Sequence, residues 1–151
     1  MLPERYEYRR ARGFREYQFF SEGPKGKIRK LVIYSYLATE DGHAYYNLGF
    51  GDYDAVANEL NDLTISNNLD RDKVLATVAA TAEEFTRHYP GSRIVVKGST
   101  PARTRLYQMK IALHYSMIAE IFDIQCQTAT GESLPFRKGE NYEGFIFERK
   151  A

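Results

Sequence analysis

The sequence predicts an α+β fold, in which a mostly antiparallel, curved sheet carries two helices packed on one face. Three observations lead to this prediction. The first half of the chain places aromatic and β-branched residues between turns of glycine, proline and aspartate, which is typical of strands and hairpins. Two later segments space their apolar residues three and four apart, as one face of a helix does. Short apolar runs lie between and after those segments, so the expected order is ββββ-α-β-α-ββ.

Alternation and turn residues define the four strands before the first predicted helix. A break is expected near Gly13, because glycine interrupts strands. Residues 21–26 form a turn rich in glycine and proline, and Asp41-Gly42 is a strong hairpin signal. Residues 51–59 are expected to form a polar loop. The predicted strands are residues 5–20, 27–38, 44–50 and 62–66.

Helical spacing and cap residues define the rest of the chain. The first helix is predicted over residues 72–89, with cap residues at 67–70 and Pro90 as its end. A short buried strand over residues 93–97 leads to a second helix that begins at Pro101. The predicted core stripe of that helix is Ala102, Leu106, Met109, Leu113 and Met117. The closing segments are a strand over 120–127, a polar loop over 128–141 and a strand over 144–148.

Size and composition indicate a single globular domain over residues 1–151. The chain is 43% hydrophobic and 27% charged, with a net charge of +1, and its length suffices for a core without disulfides or metals. The aromatic content of 14% argues against disorder, and the sequence has no apolar run of membrane-spanning length. A charged N-terminal segment without an apolar core argues against a secretory signal. The single cysteine, Cys126, fits a reducing compartment, so we expect a cytoplasmic protein.

The balanced total charge conceals strongly charged segments. Residues 1–30 and 73–119 each carry a net charge of +5, whereas residues 31–72 carry −7 and residues 120–151 carry −2. Two interpretations follow from this pattern. The segments neutralise one another in the fold, or the basic segments share a surface that binds an anion.

A candidate anion site lies where the predicted strand over 93–97 meets the second helix. Gly98 is followed by the hydroxyl groups of Ser99 and Thr100, and the first turns of the helix carry Arg103 and Arg105. The start of a helix presents unpaired N–H groups and a partial positive charge. Arginine is unfavourable there unless an anion or a carboxylate compensates it, so the segment indicates a negatively charged partner.

The outward face of the same helix is expected to extend this site. Arg103, Tyr107, Lys110 and His114 follow one another at spacings of four, three and four, which places them in one stripe. Basic groups beside an aromatic ring hold a phosphate backbone and stack a base. Two plainer interpretations stay open: the segment caps the helix, or the stripe is an ordinary solvated face.

Two weaker candidates lie elsewhere in the chain. The arginines among aromatic residues at positions 5–15 resemble a nucleic-acid arm, although interspersed glutamates favour a charged edge strand. Asp52 and Asp54 share a face of an extended segment, as ligands of Mg²⁺ or Ca²⁺ would, but two carboxylates without a third ligand are a weak signal and acidic turn residues are the favoured explanation. We therefore predict no cofactor and no firm metal site.

Four segments carry a resemblance to a known family: residues 21–26, 47–52, 70–78 and 98–107. Together they resemble a family of small uncharacterised bacterial proteins found mainly in Bacteroidetes, a domain of unknown function. The most specific segment is Gly-Ser-Thr-Pro-Ala-Arg-Thr-Arg-Leu-Tyr at residues 98–107. The resemblance spans nearly the whole chain and implies a bacterial cytoplasmic protein. It supplies no activity and therefore no catalytic residues.

The leading functional hypothesis is a non-catalytic module that binds nucleic acid or another phosphate-bearing ligand. Ser99, Thr100, Arg103, Arg105 and Lys110 would then hold phosphate, and Tyr107 would stack on a base. One alternative is a metal-dependent enzyme, such as a toxin-like nuclease or transferase that acts on a phosphorylated substrate through Asp52 and Asp54. Another is a protein-interaction domain with a tyrosine-rich interface. The sequence does not distinguish DNA, RNA and nucleotides, or a monomer from a homo-oligomer.

Overall fold

Nine strands in a mixed, mostly antiparallel open sheet and three helices make up the described part of the chain, which confirms the predicted α+β class. The structure is a computed structural model that describes residues 4–54, 59–61, 68–98, 100–137 and 139–150. The chain divides into two compact units, one of residues 1–35 and 48–89 and the other of residues 36–47 and 90–151. The single domain expected over residues 1–151 stays a prediction.

The elements follow the predicted order closely. The helices are α1 (Arg71–His88), α2 (Pro101–Leu113) and α3 (Tyr115–Ile121). The strands are β1 (Arg9–Ala11), β2 (Glu16–Gly23), β3 (Gly26–Glu40), β4 (His43–Asp54), β5 (Glu59–Asn61), β6 (Arg93–Val96), β7 (Phe122–Gln127), β8 (Ser133–Pro135) and β9 (Gly144–Arg149). They are hydrogen-bonded in the order β1-β2-β3-β4-β6-β9-β7-β8, with β5 paired to β4. Strands β4 and β6 run parallel.

The first unit is built around aromatic rings on β2, β3 and α1. Tyr34 of β3 stacks on Phe85 of α1 with ring centroids 4.2 Å apart, and Tyr17 of β2 meets Tyr34 edge-on at 5.9 Å. All three side chains are buried. The Tyr34 hydroxyl pairs with Thr81 Oγ1 at 2.9 Å, so the buried polar end of the ring has a partner. The apolar stripe predicted for the first helix therefore packs onto the strands of this unit.

One prediction for the first unit is confirmed and another is wrong. The break predicted near Gly13 is present: the segment at residues 5–20 forms two strands, because Arg12, Gly13 and Phe14 all have positive φ angles and reverse the chain between β1 and β2. The polar loop predicted over residues 51–59 is wrong for residues 51–54, because strand β4 continues to Asp54. The strand predicted over residues 62–66 lies outside the described residues.

The residues expected to cap α1 hold a hairpin instead. Asn68 is buried, and its side chain accepts a hydrogen bond from Lys25 N–H at 2.7 Å and donates one to the Gly26 carbonyl at 2.9 Å. Asp70 makes no side-chain cap bond and accepts hydrogen bonds from the hydroxyls of Tyr6 and Ser21. The segment before α1 therefore fixes the turn between β2 and β3.

The second unit separates a buried face of its sheet from a polar one. Ile94, Phe147 and Ile124 lie opposite one another across β6, β9 and β7, as do Val96, Phe145 and Cys126 one step along. Except for Phe147, these side chains are buried. Burial raises the pKa of the Cys126 thiol to about 11, as expected for a small buried residue without a neighbouring base.

The core stripe predicted for the second helix is wrong. Met109 and Leu113 are 62% and 64% exposed, whereas Arg103, Thr104 and Ile111 are buried. The helix also breaks at His114, so α3 is a separate short helix that leads directly into β7. Because polar and apolar residues interleave along α2, the sequence did not reveal which side faces inward. The loop predicted over residues 128–141 contains the short strand β8.

An ion pair between β1 and α1 makes the stability of the first unit sensitive to acid. Arg10 binds Glu84 through Nε and Nη2, at 2.5 and 2.8 Å, and these hydrogen bonds hold the pKa of the buried Glu84 carboxyl below its ordinary value. Because the pKa of Glu84 is lower in the folded protein, its ionised carboxylate stabilises the fold at pH values above its ordinary pKa of about 4.3. This stabilisation is lost as the pH falls through the pKa in the folded protein.

We predict that Glu84→Gln lowers the free energy of unfolding by about 1–2 kcal/mol at neutral pH, because a charge-assisted pair is replaced by neutral hydrogen bonds. The difference from the wild type should shrink as the pH falls below about 4. Urea unfolding over a pH series measures both effects. Glu7→Gln, at an exposed position, is the control. An equal effect of both substitutions, or a difference that grows in acid, would contradict the prediction.

Candidate anion site at the start of α2

The turn between β6 and α2 is closed by its own hydroxyl groups. Thr100 is the N-cap residue, and its Oγ1 accepts a hydrogen bond from Arg103 N–H at 3.2 Å. Pro101 follows as the first helical residue. Thr104 Oγ1 accepts from Gly98 N–H at 3.0 Å and donates to the Thr100 carbonyl at 3.2 Å. The predicted capping role of this segment is therefore present.

Gly98 is needed because the chain passes very close to the helix there. A Cβ atom on Gly98 would lie 2.4 Å from Thr104 N and 2.7 Å from the carbonyl carbon of Arg103. Both neighbours are main-chain atoms that cannot move aside without moving α2. The glycine therefore allows the first turn of α2 to pack against the end of β6, and this contact fixes which side of α2 faces inward.

The main chain at this helix start offers an anion few donors. Pro101 has no N–H group, the Arg103 N–H is bound by Thr100 Oγ1, and the Thr104 N–H is bound by the Thr100 carbonyl at 3.1 Å. The Ala102 N–H and the Thr100 hydroxyl hydrogen remain as donors. Any anion here would therefore be held mainly by side chains.

Arg103 is a buried cation without a carboxylate. It is 8% exposed, and among the described residues it forms no ion pair and no side-chain hydrogen bond. No guanidinium nitrogen of Arg103 is both sealed from solvent and without a partner, so solvent still reaches these nitrogens. The first turn of α2 contains no acidic residue. Most of the residue is shielded, its charge has no carboxylate beside it among the described residues, and its nitrogens can be reached from solvent, so this guanidinium can act as an anion ligand.

The other predicted ligands lie around Arg103 on α2. Tyr107, Lys110 and His114 follow it on one helical stripe and are half-buried rather than outward-facing. Arg105 is exposed and forms no ion pair among the described residues. Residues two apart do not share a helix face, so Arg105 is off this stripe. Ser99 lies outside the described residues.

The structure gives the weaker candidates other partners. Asp52 forms a buried ion pair with Lys30 in the first unit. The side chain of Asp54 lies outside the described residues. Across those parts of the chain that are described, no group of three or more His, Cys, Asp or Glu side chains is arranged to hold a metal. In the N-terminal arm Arg10 is bound to Glu84, which fits the charged edge strand β1 better than a nucleic-acid arm.

Sequence analysis missed a groove in the second unit. Its volume is about 570 Å³, and it is bordered by Tyr115 and Ala119 of α3, Phe122–Gln125 of β7, and Ser133 and Pro135 of β8. We call it the β7 groove. The strand register and the position of α3 create it, and neither is visible in residue spacing along the chain.

A row of polar side chains runs across neighbouring strands of the sheet and forms part of the lining of this groove. Tyr45, Arg93, Glu148 and Asp123 lie opposite one another on β4, β6, β9 and β7. Arg93 donates to the Tyr45 hydroxyl at 2.6 Å and to Glu148 Oε1 at 3.3 Å. These contacts raise the pKa of Arg93, the Tyr45 bond contributing most. Arg93 is therefore already bound within the protein, in contrast to Arg103.

Comparisons with known proteins give a family and nothing more specific. The model of DUF6934, a family of unknown function, matches residues 3–150. No curated protein and no solved structure matches the chain at a significant level. In the described residues, no helix has the length and apolar character required to cross a membrane.

We predict that Gly98→Ala destabilises the protein by about 1–3 kcal/mol, because the added methyl group meets the main chain of Arg103 and Thr104. Gly144→Ala is the matched control: its Cβ would meet nothing nearer than the flexible Gln127 side chain, at 3.3 Å. Chemical unfolding of both variants measures the difference. A Gly98→Ala variant as stable as Gly144→Ala would show that the close packing of β6 on α2 is absent.

Proposed function

Because the chain belongs to DUF6934, a family of unknown function, we propose its function from the geometry of α2: it binds a phosphate-bearing ligand through Arg103. The observation that carries this proposal is Arg103, a largely buried residue whose guanidinium has no carboxylate partner among the described residues. A phosphate group offers it the charge and the paired acceptors that the described residues do not.

The surroundings of Arg103 strengthen an anion contact. A buried pair is less screened by water and salt than an exposed one, so each charge–charge contact is worth more there. The positive end of the α2 dipole adds to the same potential. Both effects make the free guanidinium unfavourable, and a bound anion offsets both.

The length of the stripe favours a ligand with more than one phosphate. Arg103 and Lys110 are seven residues apart, which is about 10 Å along a helix. A single strand of nucleic acid or a polyphosphate matches this spacing with successive phosphate groups. Tyr107 lies between them on the stripe, where a base can stack, and exposed Arg105 adds charge at the helix start. We therefore favour a single-stranded nucleic acid or a polyphosphate over a monophosphate.

The metal-dependent enzyme considered from the sequence gains less support, because it needs Asp52 as a ligand and Asp52 is held by the Lys30 ammonium group. We also propose that the protein is bacterial and cytoplasmic, as the family resemblance implies. A cytoplasmic protein meets nucleic acids and polyphosphates directly.

We predict opposite effects of Arg103→Met on stability and on binding. The variant should be more stable than the wild type without ligand, because an unpaired buried charge is replaced by an apolar side chain. The wild type should gain about 1.4 kcal/mol, or about 3–6 °C in Tm, at pyrophosphate concentrations tenfold above Kd, and the variant should gain nothing. Thermal unfolding with and without pyrophosphate measures both effects.

Arg87→Met, at an exposed position of α1, is the matched control and should keep the pyrophosphate response. Anisotropy of a labelled single-stranded oligonucleotide should show affinity that falls steeply with salt, since counterions are released on binding. A pyrophosphate response that survives Arg103→Met, or a wild type without any response, would overturn the proposal.

A further inference from the structure

The β7 groove lies beside a sheet edge that is only partly paired. Strand β7 pairs with β9 along its whole length, from Phe122 to Gln127. On its other side β8 pairs with Gln125, Cys126 and Gln127 only. Among the described residues, no strand therefore lies on the β8 side of the first half of β7.

The register of β7 against β9 shows which main-chain N–H and C=O groups of β7 point toward the open edge. The carbonyls of Ile121 and Gln127 accept hydrogen bonds from the β9 side, at 2.9 and 2.8 Å. Main-chain groups alternate in direction along a strand, so Phe122, Ile124 and Cys126 direct theirs away from β9. Cys126 faces β8, whereas Ile124 faces the open edge. The N–H and C=O of Ile124 are thus placed to pair with a further strand.

The segments that the structure describes do not fill this position. Strand β8 ends at Pro135, and proline supplies no N–H for further pairing. The next residue, Phe136, stacks on Tyr115 of α3 with ring centroids 5.2 Å apart. Tyr115 and Pro135 both border the β7 groove, so the groove lies along the edge that β8 leaves open. An extended segment adds to such an edge through main-chain hydrogen bonds.

Charge at the groove indicates what that segment carries. Asp123 lies directly opposite Glu148 on β9, and like charges in such a pair repel. Glu148 is compensated by Arg93 at 3.3 Å, but exposed Asp123 forms no ion pair in the described part of the chain, and neither does Lys150, which also borders the groove. The main-chain N–H and C=O of Asp123 point toward β9 and not toward the open edge. A residue of an added strand that lies opposite Asp123 therefore forms a non-hydrogen-bonded pair with it. The side chains of two opposite residues are closest in such a pair.

We propose that the β7 groove binds an extended peptide segment of a protein partner, which adds as a strand at Ile124 and places a lysine or arginine opposite Asp123. Main-chain hydrogen bonds of the partner provide most of the affinity, and its basic side chain makes the groove prefer this segment over one with an acidic residue at that position. This site uses none of the residues proposed to bind phosphate, so the two proposals stand or fall separately.

The test uses acetylated, amidated peptides of sequence Thr-Val-Lys-Val-Thr and Thr-Val-Glu-Val-Thr at millimolar concentration, with the full chain followed by ¹H–¹⁵N NMR. The lysine peptide should slow hydrogen exchange of the Ile124 amide and shift its resonance. N-methylation of both valines, the residues that would pair with the edge, should abolish the effect. Asp123→Lys should reverse the preference from the lysine peptide to the glutamate peptide, by about fivefold in affinity each way.

Glu120→Lys is the control, because Glu120 is an exposed acid of α3 that does not border the groove. It should leave the lysine preference unchanged, and Arg103→Met should leave peptide binding unchanged. Three results would overturn the proposal. The first is an Ile124 amide that the lysine peptide leaves unprotected, and the second is equal binding of the two peptides. The third is concentration-dependent self-association that protects Ile124 without peptide, which would make a second copy of this chain the occupant.

Discussion

The close packing of Gly98 against the first turn of α2 determines which side chains form the candidate anion site of the second unit. Because Gly98 has no side chain, the end of β6 comes within van der Waals distance of the Arg103 and Thr104 main chain, and Thr104 Oγ1 and Gly98 N–H complete the contact with a hydrogen bond. This packing turns the Arg103 side of α2 inward and leaves Met109 and Leu113 on the outside. The main-chain contact therefore shields most of Arg103 while its guanidinium stays without a carboxylate among the described residues, and this combination makes it a candidate anion ligand.

The same segment therefore has two roles that the sequence presented as alternatives. Thr100 and Pro101 cap the helix as an ordinary strand-to-helix turn does, and this use consumes most of the main-chain donors that an anion would otherwise bind. The cap leaves the guanidinium group of Arg103 as the main ligand. Arg93, a half-buried arginine on β6 of the same unit, is bound by Tyr45 and Glu148, so the contrast between the two arginines separates a structural cation from a candidate ligand.

The sequence predicted what local patterns determine and missed what tertiary contacts determine. Strand alternation, the Asp41-Gly42 turn and the apolar stripe of α1 were sufficient to predict the α+β class and nearly all of the element order. The inward side of α2 was predicted wrongly for two reasons. Apolar residues lie on more than one side of this helix, so the stripe that includes Ala102 and Leu106 does not stand out. The contact that turns one side inward comes from Gly98, which lies outside the helix. The β7 groove depends on where β8 stops relative to β7, which is a question of register that residue spacing does not answer.

The most direct test of this account follows the Nε–Hε resonance of Arg103 by NMR while inorganic phosphate is added, with Arg103→Met used to assign the signal. Without phosphate, this hydrogen should exchange rapidly with solvent, because none of the described residues accepts a hydrogen bond from it. Added phosphate should shift the resonance and slow its exchange in a saturable manner. A resonance that is already protected without phosphate, and that phosphate does not change, would mean that the protein itself supplies the partner and would contradict the account.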